Sequence, residues 1–176
     1  MWAPLAYSTR GWVLAWLGRS ADGLADLERG VTLHEATGAR THLALFYVRW
    51  AEGMQLAGDV DRGREIAEQA VALAVSTRER GNEAWALRAL AEADLHRSGA
   101  DFGVTQDRYQ TGLDLAAQLG MRPLVAHCRS GLAQLCRRMG NRTESDQNFA
   151  AATLMYQEMG MRYWLERADK AMRSLA

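Results

Sequence analysis

The sequence predicts an all-α fold, a solenoid of stacked helix hairpins, from three observations. The first is a set of glycines that recurs every 40 or 41 residues and marks the middle of each unit: Gly18, Gly58, Gly99 and Gly140. The second is another set, spaced by 39 to 43 residues, that marks the unit ends: Gly38, Gly81, Gly120 and Gly160. The third is the helical spacing of apolar residues, without the alternation typical of strands. Two breaks in each unit of about 41 residues indicate two helices per unit, which is the signature of a helical repeat.

These breaks divide the chain into nine predicted helices, at residues 4–17, 20–37, 41–57, 60–79, 83–97, 104–119, 122–138, 143–159 and 162–175. We expect one domain over residues 1–176, with four hairpin units at 4–38, 41–81, 83–120 and 122–160 and a capping helix at 162–175. Thr143, followed by Asp146, is the predicted N-cap of the eighth helix. Gly120-Met121 and Gly160-Met161 each suit a left-handed glycine cap followed by an apolar residue that folds back on the helix.

The helices also carry an alternation of large and small residues that lets neighbouring helices approach closely. In the first helix of each unit this position holds Arg10-Gly11, Trp50-Ala51, Leu90-Ala91 and Leu132-Ala133. In the second helices the pairs are Leu27 with Gly30, Ala67 with Ala70, Tyr109 with Gly112 and Phe149 with Ala152. This pattern resembles the tetratricopeptide repeat, although the period is about 41 residues rather than 34. The resemblance implies a tetratricopeptide-like right-handed superhelix whose helices are each about one turn longer.

A more specific resemblance covers about Glu79 to Ala176. It rests on RGNEAWALRALAEADLHR from Arg80, YQTGLDLAAQLGMRPLVAHCRSGLAQLCRRMGNR from Tyr109 and ATLMYQEMGMRYWLERA from Ala152. These segments resemble the C-terminal tetratricopeptide tail of bacterial multidomain signalling ATPases, in which a nucleotide cyclase or protein kinase domain precedes the ATPase module. The resemblance implies a helical interaction or sensing module. We predict that the chain is not an enzyme, because it has no Gly-x-x-x-x-Gly-Lys-Ser/Thr phosphate loop and no cyclase metal carboxylates that can be placed.

Composition and charge argue against several classes of partner. The formal net charge is zero, which gives no support for nucleic acid or an anionic membrane as the partner. No apolar run approaches the ~20 residues of a membrane span and no secretory signal is visible, so we expect a cytoplasmic protein. Cys128 and Cys136 lie roughly 12 Å apart in one predicted helix, beyond disulfide reach. Neither a metal nor a cofactor is predicted, because the histidines and cysteines do not fall at ligand spacing.

The first helices of a tetratricopeptide stack line its concave wall, and the repeat register predicts which side chains face it. Eight of them form the predicted peptide-binding groove: Trp85, Arg88, Glu92, His127, Gln134, Arg137, Arg167 and Lys170. In this groove, arginines would hold carboxylates through paired hydrogen bonds, and Trp85 would be an aromatic anchor. The basic residues favour an acidic peptide or a free C-terminus. The alternative is that the same residues form ordinary solvated faces.

The two ends of the predicted stack differ in polarity. The last helix has a polar side and closes the stack as a capping helix. The first helix is apolar almost throughout, and Trp12 and Trp16 lie one turn apart on one face. We predict a homodimer that forms through Trp2, Trp12 and Trp16, because so large an apolar patch rarely stays exposed. A lost preceding repeat is the alternative.

The sequence thus predicts a non-catalytic protein–protein interaction or scaffolding module of a bacterial signalling or regulatory system. Its partner would be a peptide or protein segment held in the concave groove. Two alternatives stay open. One is a sensor domain with a small ligand in a closed apolar pocket of roughly a few hundred Å³. The other is a purely structural homo-oligomerisation module.

Overall fold

The computed structural model describes residues 2–175, and within that range every regular element is an α-helix. In chain order the helices are α1 (Trp2–Trp16), α2 (Ser20–Glu35), α3 (Leu43–Leu56), α4 (Val60–Thr77), α5 (Arg80–His96), α6 (Phe102–Gln118), α7 (Arg122–Arg138), α8 (Arg142–Glu158) and α9 (Arg162–Ser174). Every helix begins and ends within three residues of its predicted bounds. The all-α prediction is therefore confirmed for the described residues.

The helices group into two compact units, residues 1–99 and residues 100–176. In the first unit each helix from α1 to α4 packs on the next one, and α3 also contacts both α1 and α5. In the second unit α7 packs against α6 and α8, and α9 contacts α7 and α8. Each unit therefore has the layered hairpins that the repeat predicts. The assignment of residues 1–176 to one domain stays a prediction.

Small residues let the two helices of a hairpin approach each other closely. A Cβ atom added at Gly11 of α1 would lie 2.6 Å from the backbone oxygen of Gly23 in α2, and one added at Gly23 would lie 2.7 Å from the oxygen of Gly11. The equivalent positions of the second hairpin repeat this contact, because a Cβ at Gly63 would lie 2.9 Å from the oxygen of Ala51. At such distances backbone meets backbone, so any side chain would force the helices apart.

The predicted glycine caps are confirmed at the ends of α6 and α8. Gly120 has a φ of +67°, its N–H bonds to the oxygen of Ala117 at 3.1 Å, and the N–H of Met121 bonds to Ala116 at 2.8 Å. This pair of bonds satisfies two carbonyls that the helix end would otherwise leave open. Gly160 has the same φ and the same pattern of bonds.

The prediction that Gly81 ends the second unit is wrong. Gly81 lies inside α5, which begins at Arg80, and α4 is closed by Arg78 with a φ of +58°. The N–H of Glu79 bonds to the oxygen of Ala74 at 2.9 Å, so Arg78 makes the same cap as the glycines do. The backbone bonds of the cap offset the cost of a left-handed arginine, which is of order 1 kcal/mol.

The prediction that Thr143 caps α8 is also wrong, because the helix begins one residue earlier at Arg142. Asn141 is the N-cap, and its side-chain oxygen accepts a hydrogen bond from the N–H of Glu144 at 3.3 Å. The Asn141 amide in turn donates to the Glu144 carboxylate at 2.7 Å. Asparagine is among the best N-cap residues, and it lies directly after the left-handed Gly140 that ends the preceding helix.

Candidate protein-interaction site

In the first unit, one carboxylate joins three successive first helices. Glu52 of α3 accepts a hydrogen bond from the indole N–H of Trp12 in α1 and forms an ion pair with Arg88 of α5. Glu52 is 6% exposed and Arg88 is 7% exposed. The three residues hold helices that are neighbours in the stack but lie about 40 residues apart in sequence. This arrangement is a buried polar network and not an open binding surface.

Arg88 was predicted to line an accessible groove, and in the structure its side chain is buried. The repeat register places Arg88 on the face of α5 that meets α3, where Glu52 balances its charge. The Nε atom of Arg88 is buried without a hydrogen-bond partner, so the guanidinium depends on Glu52. The guanidinium carbon of Arg88, Cζ, lies 5.5 Å from the centre of the Trp85 ring, which favours a cation–π contact. A peptide carboxylate would have to displace Glu52 to reach Arg88.

The other two predicted groove residues of the first unit are partly buried. Trp85 packs against the apolar cluster of α3, α4 and α5 that includes Val48 and Ile66. The backbone oxygen of Glu92 lies 2.9 Å from the Nδ1 atom of His96, one turn later in α5. Part of the Trp85 ring, the predicted aromatic anchor, therefore packs inside the unit and is not accessible to a peptide.

Sequence reasoning missed a second set of contacts that joins α4 to α5. Arg64 donates from Nε to the carboxylate of Asp94 at 2.8 Å, and Asp94 is 4% exposed. The contact with Asp94 raises the pKa of Arg64. Nearer the end of α5, Arg97 bonds to Asp61 at 2.9 Å. These residues lie 30 and 36 positions apart, so no local sequence signal indicates that they pair.

In the second unit, His127 was predicted to line the groove, but it lies in the interior. It is 9% exposed, its Nδ1 lies 2.8 Å from the hydroxyl of Tyr156, and its ring centre lies 4.4 Å from that of Trp164. Trp164 and Ala168 of α9 pack with Tyr156 and Ala126 in one cluster. His127 therefore helps hold the last helix against α7 and α8, which agrees with the predicted role of that helix as a cap.

The remaining predicted groove residues of the second unit are more accessible. Gln134 is half-buried and its amide makes a long bond of 3.4 Å to the oxygen of Ser130. Arg137 is half-buried and pairs with the exposed Asp146 at 3.0 Å. Arg167 and Lys170 are exposed on α9. Polar groups that a partner can reach are therefore found on α7 and α9.

The apolar face of α1 differs from the predicted self-association surface. Trp12 and Trp16 are half-buried and stack edge to face with ring centres 6.1 Å apart, while Trp12 also bonds to Glu52. Trp2 is 81% exposed, as predicted for a surface residue. Leu17 is 70% exposed and Val13 is 43% exposed, although neither was predicted. The most exposed apolar residues, Trp2 and Leu17, lie on a different side of α1 from Trp12, whereas Leu5, seven residues before Trp12, is 39% exposed.

A depression of about 490 Å³ opens beside α1 and α2. Its lining includes Arg10 and Asp26, whose side chains form two hydrogen bonds of 2.5 and 2.6 Å. The hydrogen bond from Arg10 holds the pKa of Asp26 below its usual range. The depression is open and partly charged, so it does not match the closed apolar pocket that the sensor alternative requires.

The described residues form neither a metal site nor a membrane span. Among residues 2–175, no group of three or more His, Cys, Asp or Glu side chains is arranged to hold a metal ion. The Nε2 atom of His34 lies 3.0 Å from the backbone oxygen of Thr41, and the His34 ring stacks on Phe46. None of the described helices is both long enough and apolar enough to cross a membrane.

The fold defines the class of protein. Two crystal structures of a kinesin light chain from Podosopora anserina, with nearly identical TPR-like repeats, match 99% of this chain. Their TM-scores are 0.66 and 0.68, the match covers 97% and 96% of those chains, and the identities are 15% and 14%. The likeness concerns the fold alone. It confirms an all-α tetratricopeptide-like solenoid.

A particular relative is found among curated sequences. The chain is 29% identical over 116 residues to the 43 kDa receptor-associated protein of the synapse from Tetronarce californica. The match covers 66% of this chain and 26% of that protein, so the chain spans about a quarter of the relative's length. No protein-family profile matches the chain.

Proposed function

We propose that this chain is a non-catalytic module that binds an extended segment of a protein partner in a bacterial signalling or regulatory system, in the cytoplasm. The tetratricopeptide-like fold supports a binding role, since a stack of helix hairpins provides a long surface and no fixed catalytic cleft. The name of the curated relative, a receptor-associated protein, is consistent with a protein partner. The bacterial context rests on the sequence resemblance described above.

One observation carries the choice of binding surface. The polar inner residues of the first unit, Trp12, Glu52 and Arg88, are largely withdrawn from solvent, whereas Arg167 and Lys170 of α9 are exposed and Arg137 of α7 is half-buried beside the exposed Asp146. Arg167 and Lys170 are exposed on the same helix that His127 and Trp164 anchor. We therefore place the partner on α7 and α9, and its expected chemistry is an acidic peptide or a free C-terminal carboxylate.

The binding surface can be tested with a defined probe. The probe is a fluorescein-labelled peptide of about ten alternating glutamate and leucine residues, and fluorescence anisotropy reports its affinity. The reversal of both charges in Arg167→Glu/Lys170→Glu is expected to weaken binding at least about fivefold, or ~1 kcal/mol. A peptide with lysine in place of glutamate is expected to bind more weakly than the acidic peptide.

A matched control separates a specific site from general charge attraction. Arg162→Glu/Arg173→Glu makes the same change of charge at two exposed residues of α9 that do not belong to the predicted groove. We expect this variant to change affinity by less than about twofold. Equal losses from the two variants, or equal binding of the acidic and basic peptides, would contradict the proposal.

A second candidate function is self-association through α1, as a homodimer. The exposure of Trp2 and Leu17 favours this candidate, because a contiguous patch of large apolar side chains rarely stays exposed to solvent. This candidate does not exclude peptide binding, since α1 belongs to the first unit and the proposed peptide surface lies on α7 and α9.

A further inference from the structure

One side of α1 forms an exposed apolar strip. The strip consists of Trp2, Ala6 and Val13 of α1 and of Leu17 directly after it, whose N–H bonds to the oxygen of Val13 at 3.0 Å. These residues recur at intervals of four and seven and so lie along one side of the helix. All four are exposed, and the exposed fraction is largest at the two ends, at Trp2 and Leu17. The small Ala6 and the polar Thr9 lie between the bulky ends.

The equivalent side of the next first helix is covered. Phe46 and Gly53 of α3 lie forty residues after Ala6 and Val13, and both are buried. Phe46 stacks on His34 of α2 at 4.5 Å, and a Cβ atom at Gly53 would lie 2.4 Å from Leu27 of α2. In the repeat, this side of a first helix therefore packs against another helix. On α1 the same side faces solvent.

The charge of the strip limits what can cover it. None of its four residues is ionisable, and the neighbouring polar groups are already engaged. Thr9 accepts a hydrogen bond from Arg49 at 3.1 Å, and Arg10 is bound to Asp26. A second strip of the same kind can pack on it without leaving these groups unsatisfied, and each Arg10 keeps Asp26 as its counter-charge where the two copies meet. The exposed side of α9, by contrast, is charged, so a head-to-tail stack is disfavoured.

We infer that the strip binds the strip of a second copy of this chain, in an antiparallel pair related by a two-fold axis. In such an interface residue i of one copy meets residue j of the other, and the reverse. Trp2 then packs on Leu17, and Ala6 packs on Val13, with the axis near Thr9. The bulky ends of each helix meet the opposite ends, and the small residues between them let the two helices approach closely.

The area indicates how strong the pair is. The exposed surface of the strip is on the order of 500 Å² per copy, and therefore about 1,000 Å² for the pair, which is the lower limit for specific interfaces. We expect a reversible dimer with a dissociation constant in the micromolar range, rather than a permanent one.

The first test measures the oligomeric state. Light scattering or sedimentation of the wild type, from about 1 to about 200 µM, is expected to show a rise from monomer to dimer. Val13→Glu puts a charge in the strip and is expected to stay monomeric throughout. Val75→Glu is the matched control, because Val75 of α4 is 54% exposed and lies outside the strip. A monomeric wild type, or a Val13→Glu variant that still forms the dimer, would overturn the inference.

The second test measures the direction of the helices. In the antiparallel pair, residue 6 of one copy opposes residue 13 of the other, while the two copies of residue 6 are offset by about 10 Å along the axis. A mixture of Ala6→Cys and Val13→Cys is therefore expected to form a disulfide-linked dimer on oxidation. Ala6→Cys alone is expected to give none above the wild-type background, because ~7 Å is the limit for a disulfide. The reverse pattern would refute the antiparallel arrangement.

The inference rests on the second candidate function, self-association through α1. Both tests are made without peptide, so their outcome is separate from that of the proposed peptide binding. A monomeric chain that binds the acidic probe would leave peptide binding supported and the dimer refuted. A chain that forms the dimer but does not bind the acidic probe would support the dimer and refute peptide binding.

Discussion

Neutralising Glu52 tests whether the buried network of the first unit stabilises the fold. Glu52→Gln keeps the size of the side chain and an oxygen that can accept the hydrogen bond of Trp12, but it removes the charge that balances Arg88. Because Arg88 is 7% exposed and its Nε already lacks a partner, the charge cannot be compensated by water without a local opening of the unit.

The magnitude follows from the burial of both partners. Removing one member of a buried ion pair typically costs about 3 to 5 kcal/mol, because the remaining charge is left without compensation. The Trp12 hydrogen bond, worth about 1 kcal/mol, is retained in Glu52→Gln, so we expect the lower end, about 3 kcal/mol. This is a large share of the total stability of a typical domain.

The assay is urea unfolding followed by tryptophan fluorescence and by far-UV circular dichroism. Glu52→Gln/Arg88→Met, which removes both charges, is expected to recover stability to within about 1 kcal/mol of the wild type. The control is the exposed pair Arg62 and Glu65, where Glu65→Gln should cost less than about 0.5 kcal/mol. If Glu52→Gln cost no more than Glu65→Gln, or if the double variant were the least stable, the reasoning would be refuted.

Three further predictions concern close packing, pH and thiol chemistry. Gly11→Ala should lower the free energy of unfolding by about 1 to 3 kcal/mol, because its Cβ atom would meet backbone atoms of α2. Gly103→Ala is the control in the same urea assay: its Cβ atom would meet only the Asp101 side chain within 4 Å, so the free energy of unfolding should change by less than about 1 kcal/mol. Because the pKa of Asp26 is lowered in the folded state, its pair with Arg10 contributes stability above about pH 4, and this stability is lost as pH falls through the folded-state pKa. The difference in unfolding free energy between wild type and Asp26→Asn should therefore shrink in acid. A constant difference from about pH 6 to about pH 2 would contradict this. Burial raises the pKa of Cys136 to about 11, so neither buried thiol should react quickly with a disulfide reagent at pH 8 until the protein is unfolded, and immediate reaction of two thiols per chain in the native state would show the opposite.

The helices were predictable because their limits depend on residues close in sequence. Left-handed glycines such as Gly120 end a helix wherever they occur, and the spacing of apolar residues shows the buried side of each helix. The prediction fails where a second local solution exists. Arg78, directly after α4, takes the left-handed conformation in place of Gly81, and Asn141, directly before α8, caps that helix in place of Thr143.

The sequence alone determined the repeat, the helices of residues 2–175 and the all-α class of that range, since period and breaks are local properties of the chain. The tertiary structure decided which polar residues are accessible. Arg88 and His127 lie at register positions that face the concave wall in the pattern, yet each finds a buried partner more than 25 residues away. The spacing of residues along one helix is the same for a side that faces solvent and for a side that packs on a neighbouring helix, so spacing alone does not distinguish the two. Only the tertiary packing separates a satisfied interior from a surface open to a partner: Glu52 packs on Arg88, and α2 covers a side of α3 whose equivalent on α1 is exposed.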